Sequence, residues 1–138
     1  MQHPRSQIHP VLFFAGAGCT STARTKDLLA LLNATLPPGG SLASLASLDR
    51  RCSLPALTET AAIAGCPLVP VSATALTAET TAAPSAAAIH SGVASVAEAA
   101  ALASARQAAG PGQKPVLWLA KQTGPGCTVA LAILTVSG

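Results

Sequence analysis

Apolar runs and breaks alternate along the chain from residue 11 onward and mark out a succession of strands and helices. Val11 to Ala15 is a continuous apolar run of strand length. Gly16-Ala17-Gly18-Cys19-Thr20-Ser21-Thr22 follows as a turn-forming stretch, and Leu28, Leu29, Leu32 and Leu36 then recur at helical spacing. Pro37-Pro38-Gly39-Gly40 ends that helix, because proline lacks an amide donor and disfavours the helical conformation in the residue before it. Leu42 to Leu48 is apolar, serine-interrupted and of the length of a buried strand. Ser53 is placed to cap a helix with Pro55 in its first turn, running through Leu57 and Ile63 to Gly65 as terminator. Leu68 to Val71 is a further strand, and the Ala- and Thr-rich segment 72–91, with Pro84 inside it, predicts short helical turns and a mobile connection. Ser95 to Ala108 is the clearest helix: Ser95 and Glu98 have capping-box spacing, and the residues beyond them are nearly all Ala and Leu. After Gly110-Pro111-Gly112, Val116 to Ala120 and Val129 to Val136 predict two strands joined at Gly124-Pro125-Gly126.

Strands that alternate with helices predict an α/β fold, a layered α/β/α domain whose sheet is mixed but mainly parallel and closes with a C-terminal hairpin. Residues 1–10, polar with Pro4 and Pro10, read as a flexible leader, and residues 11–138 as a single domain. Composition sharpens this. Half of the 138 residues are hydrophobic but only 2% are aromatic, so the core is expected to be built from Ala, Leu and Val in thin, close layers. Eight Lys and Arg against five Asp and Glu give a net charge of +3, too sparse for the basic stripe of a nucleic-acid binder. The apolar run at Val11–Ala15 is too short for a membrane span or a signal peptide, so no membrane association is expected. Cys19, Cys52, Cys66 and Cys127 form neither a CxxC pair nor a zinc spacing and read as free thiols of a cytoplasmic protein. His3, His9 and His90 form no metal set, and no cofactor is indicated.

The candidate chemistry gathers where strands are expected to lead into helices, the usual ligand edge of an open α/β sheet. Gly16 and Gly18 permit close backbone approach, and Thr20, Ser21 and Thr22 add hydroxyls near the positive end of a helix dipole. The stretch is either an anion-binding loop or a tight turn, since it completes neither GxGxxG nor a phosphate loop. Cys19 is either a small packed residue or a thiol activated at a helix N-terminus. Asp49, Arg50 and Arg51 form the densest charged cluster, able to grip carboxylates through the guanidinium fork or to stand as a solvated turn. Glu98 either closes the capping box or acts as a general base. Lys121 either reaches an anionic ligand or marks the surface.

Four segments in order resemble the CobE/CbiG C-terminal family of cobalamin biosynthesis proteins. They are Gly16-Ala17-Gly18-Cys19 after an apolar strand, Leu45-Ala46-Ser47-Leu48-Asp49-Arg50-Arg51, Gly92-Val93-Ala94-Ser95-Val96-Ala97-Glu98-Ala99-Ala100-Ala101-Leu102, and Lys121 followed by Cys127-Thr128-Val129-Ala130. The third is similar, nearly position for position, to the family pattern GVxSVxEAAAL. The resemblance covers roughly Val11 to Leu134 and implies the stand-alone CobE-like form. It implies an α/β domain of vitamin B12 biosynthesis that binds or processes a carboxylate-rich precorrin or corrinoid intermediate. An alternative reading is an assembly factor that passes intermediates between enzymes of that pathway through its apolar, Ala-rich surface. The residues so implied to bind are Gly16, Gly18, Cys19, Thr20, Ser21, Ser47, Arg51, Gly92, Ser95 and Lys121. In the longer CbiG-type proteins the activity is hydrolytic opening of a ring lactone on cobalt-precorrin-5A, for which Glu98 and Asp49 are the catalytic candidates here. The chain departs from the pattern after Cys19, where family members commonly carry basic residues and a glycine. Arg51 replaces the usual lysine, and Cys52 and Ser53 stand where an acid is common.

Overall fold

The computed structural model describes residues 11–82 and 95–136. Five strands form one sheet: β1 (Leu12–Cys19), β2 (Ser41–Leu48), β3 (Leu68–Val71), β4 (Gln113–Gly124) and β5 (Cys127–Val136), in the order β3-β2-β1-β5-β4. β1 pairs with β2 and β2 with β3 in parallel, whereas β5 runs antiparallel to both β1 and β4. The sheet is thus mixed and ends in the expected hairpin, with a larger antiparallel share than the strand–helix alternation suggested. The predicted leader at 1–10 and the segment from 83 to 94 lie outside the described residues.

Helices α1 (Thr25–Thr35) and α2 (Pro55–Ala64) cover one face, and α3 (Ala73–Ala82) and α4 (Ser95–Ala108) the other. The period-two alternation of β1 feeds both layers. Phe13, Ala15 and Ala17 join Leu28 and Leu32 of α1, Leu57 of α2, and Val129 and Leu131 of β5 in the larger core cluster. Phe14 turns the other way, onto Ala101 and Ala105 of α4. Fully burying a Leu contributes roughly 1.5–3 kcal/mol, against about 0.8 for a single methylene-sized group. The first face therefore gains from a few large side chains. The α4 face gains from many small ones held very close.

Gly16 shows how close. Its missing side chain faces α4, and a Cβ there would overlap the backbone oxygen of Ala97 and the backbone nitrogen of Ala101. Ala97, Ala100, Ala101 and Ala105 are all fully buried, Ala100 in one cluster with Ala46 and Ala101 and Ala105 in another with Ala132. The Gly16–Cys19 stretch is accordingly not a turn. β1 runs on to Cys19, and the glycines are strand residues at a helix–sheet contact.

Local signals account for most other boundaries, with some changes. α2 starts at Pro55 and stops at Gly65, whose φ of 74° is the left-handed cap that glycine adopts freely. Its N-cap is Leu54 without a side-chain cap bond, so Ser53 does not cap it. Segment 73–82 is a regular helix rather than short turns, and Ser72 Oγ accepts from Ala75 N–H at its start, 3.1 Å away. Buried Glu79 takes Arg106 of α4 in a two-point contact, 2.6 and 3.1 Å, which ties α3 to α4. β4 is longer than its apolar stretch because pairing with β5 carries it through Lys121 to Gly124.

Two glycine substitutions separate contact from conformation. Gly16→Ala is expected to lower unfolding free energy by about 3 kcal/mol or more, because α4 must lift from the sheet. Gly65→Ala, with nothing within reach of a new Cβ, is expected to cost only ~1 kcal/mol from its positive φ. Urea denaturation of both variants checks the contrast.

Candidate functional site

Parallel pairing of β1, β2 and β3 brings their carboxyl ends to one edge, and the chain order there is set by register. Cys19 ends β1, the Asp49–Arg51 turn of 3-10 helix follows β2, and Ser72 follows β3. The antiparallel β5 begins at the same edge, with Cys127 opposite Cys19. The two-residue Pro125-Gly126 turn connects it to β4, with Gly126 at φ 70°. α4 also starts here: Val96, in its first turn, lies beside Gly18. The edge thus collects Thr20, Ser21, Asp49, Arg51 and the N-terminal turn of α4, which were expected together.

The local geometry changes several roles. α1 starts at Thr25, so the amides of Gly18 to Ser21 are not those of a helix N-terminus as expected. The Thr20 amide instead donates to the Gly126 carbonyl at 2.9 Å, and the Thr20 carbonyl accepts from Ala23 N–H. Thr20 and Ser21 are exposed, and the Thr20 and Thr22 hydroxyl oxygens are 3.3 Å apart. Ser47 is fully buried and donates its hydroxyl to the Ala17 carbonyl at 2.7 Å. It joins β2 to β1 and does not face solvent. Asp49 is exposed, with Oδ1 accepting from Arg50 N–H at 2.7 Å, and Arg51 is half-buried. Gly92 lies outside the described residues, and Ser95 is the first residue of α4.

Glu98 has a partner that spacing did not suggest. Its Oε2 accepts from the Lys121 N–H at 3.0 Å, across 23 residues. The pairing of β4 with β5 shifts register between Leu119 and Gln122, and a bulge of this kind leaves an amide off the ladder. The Glu98 carboxylate receives that amide, so Glu98 and Lys121 meet through backbone and side chain at the bulge. A charge-assisted bond to an otherwise unpaired amide is worth roughly 1.5–3 kcal/mol.

Cys19 is held as a neutral thiol. Burial pushes its pKa up from 9.0 to about 12, the neighbouring Cys127 adds to this, and the Arg51 guanidinium only partly opposes it. A thiol of that kind is not an activated nucleophile. Burial likewise raises Cys127, with Asp27 reinforcing it. All four cysteines are free thiols, as their spacing predicted. Thr128, which was not singled out for chemistry, has a buried hydroxyl with no hydrogen-bond partner among the described residues. It stands 2.8 Å from where a Gly18 Cβ would be. Only the antiparallel register of β5 on β1 brings it there. A groove of about 260 Å³ lined by Val11, Leu12, Phe14, Gln113, Ile133 and Leu134 lies at the opposite end of β1 and is not part of this edge.

Comparison with known proteins follows the same lines. The family model described as "Cobalamin synthesis G C-terminus" matches residues 13–132. A crystal structure of CobE, described as a protein from the cobalamin (vitamin B12) biosynthetic pathway, superposes with a TM-score of 0.74 at 33% identity, covering 93% of this chain and 94% of that one. The cobalamin biosynthesis protein chiG from Agrobacterium tumefaciens str. C58 superposes with a TM-score of 0.67 at 29% identity, covering 88% and 97%. No curated protein sequence matches significantly. Among the described residues no helix is long and apolar enough to cross a membrane.

Two measurements test these roles. Glu98→Ala is expected to destabilise by about 1.5–3 kcal/mol, whereas Glu98→Gln, whose amide oxygen still accepts from Lys121 N–H, loses less than half of that. Equal losses in urea denaturation would remove the bulge contact as the cause. For Cys19, a pKa near 12 instead of 9.0 cuts the thiolate fraction at about pH 8 roughly thousandfold. Its alkylation by iodoacetamide is therefore expected to be slow and to rise about tenfold per pH unit towards pH 11, read by peptide mass spectrometry on the folded protein.

Proposed function

Because this chain belongs to the CobE/CbiG C-terminal family of cobalamin biosynthesis proteins, we propose that it binds a carboxylate-rich precorrin or corrinoid intermediate across the edge where β1 and β2 end. The observation that supports the reading is the shared edge: exposed Thr20 and Ser21 follow β1, half-buried Arg51 follows β2 close enough to act on Cys19, and α4 starts beside Gly18. A macrocycle with acetate and propionate arms presents separated carboxylates. Arg51 offers one of them a planar two-point contact, and Thr20 and Ser21 offer neutral donors to another. Half-burial of Arg51 strengthens such a contact relative to a fully solvated ion pair.

Gly16 and Gly18 serve this site from beneath. Gly16 seats α4 on the sheet, and Gly18 leaves room for the Thr128 hydroxyl beside Val96 of its first turn. Lys121 enters through its backbone contact with Glu98, which fixes the bulge of β4 against α4. Cys19, neutral and partly buried, lies under the edge as a packing residue. Four free thiols suit a reducing, cytoplasmic setting.

A hydrolytic role on a precorrin lactone is the second reading, and burial favours Asp49 over Glu98 as its acid. Asp49 is exposed at the edge, while one oxygen of Glu98 is already committed to Lys121. In that case Asp49→Asn abolishes turnover and leaves intermediate binding intact.

Titration of the purified protein with a late precorrin tests the binding reading. A saturable change in the visible spectrum is expected, with Arg51→Ala weakening it about tenfold or more, the loss of one charge-assisted contact. An unchanged spectrum and unchanged diffusion of the precorrin, at protein concentrations well above those of the pathway enzymes, would abandon it.

A further inference from the structure

Cys19 and Cys127 are free thiols far apart in the sequence, yet the antiparallel register sets the last residue of β1 directly opposite the first of β5. The flanking Thr20 N–H donates to the Gly126 carbonyl at 2.9 Å. Hydrogen-bonded and non-hydrogen-bonded rungs alternate, so the cysteines occupy a non-hydrogen-bonded rung, where Cα atoms stand about 4.5 Å apart and side chains approach most closely. That separation is at the short end of the ~4.4–6.8 Å that a disulfide spans. Both side chains leave the sheet on the same face: Cys127 belongs to the larger core cluster, and Cys19 packs against it. The two sulfurs also lie near enough to feel each other's charge.

We propose that Cys19 and Cys127 form a reversible intramolecular disulfide by exchange with a small-molecule disulfide, a redox-sensitive clamp at the edge that carries the candidate site. Their unequal exposure orders the steps. Cys19 is partly exposed and Cys127 is 4% exposed, so Cys19 meets the reagent and Cys127 closes the bond. Cys19 gives up its proton to solvent, attacks one sulfur of the reagent and expels one thiolate, which leaves a mixed disulfide. Cys127 then loses its proton, attacks the Cys19 sulfur and expels the second thiolate. Two protein thiols are oxidised, one reagent disulfide is reduced to two thiols, and the released protons balance the departing thiolates.

The location suits a bond that closes without disturbing the domain. Both residues are at strand ends beside the Pro125-Gly126 turn, where small backbone adjustment does not pass through the middle of the sheet. Cys52 and Cys66 have other surroundings. The Cys52 thiol faces the Ser47 and Leu48 carbonyls, and Cys66 follows α2 at the opposite end of β3. The clamp also joins residues distant in sequence, which is where a cross-link most restricts the unfolded chain.

Burial raises the Cys19 thiol to about 12, which makes the exchange slow, so the test incubates the whole protein for about a day with excess oxidised glutathione at about pH 10, where more thiolate is present, and maps peptides without reduction. The expected result is an intact mass lower by two hydrogens, one cross-linked peptide pair holding Cys19 and Cys127, and reversal by dithiothreitol. The oxidised form is expected to melt at least about 5 °C above the reduced one. Cys19→Ser and Cys127→Ser should each abolish the mass loss, and the partly exposed Cys19 position gives the same readout if the buried replacement does not fold. Persistent glutathione on Cys19 without closure, or cross-links through Cys52 or Cys66, would overturn the proposal.

Discussion

The contact between α4 and the sheet rests on the absence of one atom. Gly16 lets the backbone of α4 lie directly on β1, and Ala97, Ala100, Ala101 and Ala105 carry the same closeness along the helix. A layer this thin has few methyl groups to bury per residue, so its stabilisation comes from the number of atoms at van der Waals distance and fails quickly with separation. The rest of the fold is arranged to hold that distance. Glu79 and Arg106 tie α3 to α4, and Glu98 ties the first turn of α4 to the bulge in β4.

That constraint also decides what the candidate site can be. With Gly16 and Gly18 inside β1, the stretch up to Cys19 is neither the anion-binding loop nor the tight turn that the sequence left open, and its amides belong to the strand ladder or to the Thr20–Gly126 bond. In the proposed function, recognition of an anion at this edge is assigned to side chains: Arg51, and the hydroxyls of Thr20 and Ser21. Side chains suit a ligand with several separated carboxylates better than one compact phosphate, because each can reach a different arm.

The same edge concentrates the chemistry that burial suppresses. Cys19 stays protonated first because it is buried, the neighbouring Cys127 adds to this, and Arg51 only partly opposes them. A neutral thiol beneath the proposed carboxylate-binding edge would add no repulsion towards an anionic ligand. It also leaves the positive charge of Arg51 unpaired by a thiolate.

Much of this was legible in the chain itself. Proline and glycine punctuation, apolar runs and Leu spacing set the strands at 41–48 and 68–71, the helix ended by Gly65, the Ala-rich helix from Ser95 and the hairpin at Pro125-Gly126, because each depends on residues within a few positions of one another. The ordered motifs were enough to point to the family. What the chain could not disclose are the contacts that depend on which strand lies beside which. Gly16 and Gly18 look the same in a loop and in a strand until a helix is laid on them. The capping-box spacing of Ser95 and Glu98 gave no hint that Glu98 would receive the Lys121 amide, which a register shift 23 residues away sets free. Ser47 became structural because β2 lies against β1, and Cys19 met Cys127 because β5 runs antiparallel. Local sequence determined the elements, and the order and register of the strands, fixed only when the whole core packs, decided which side chains share a surface.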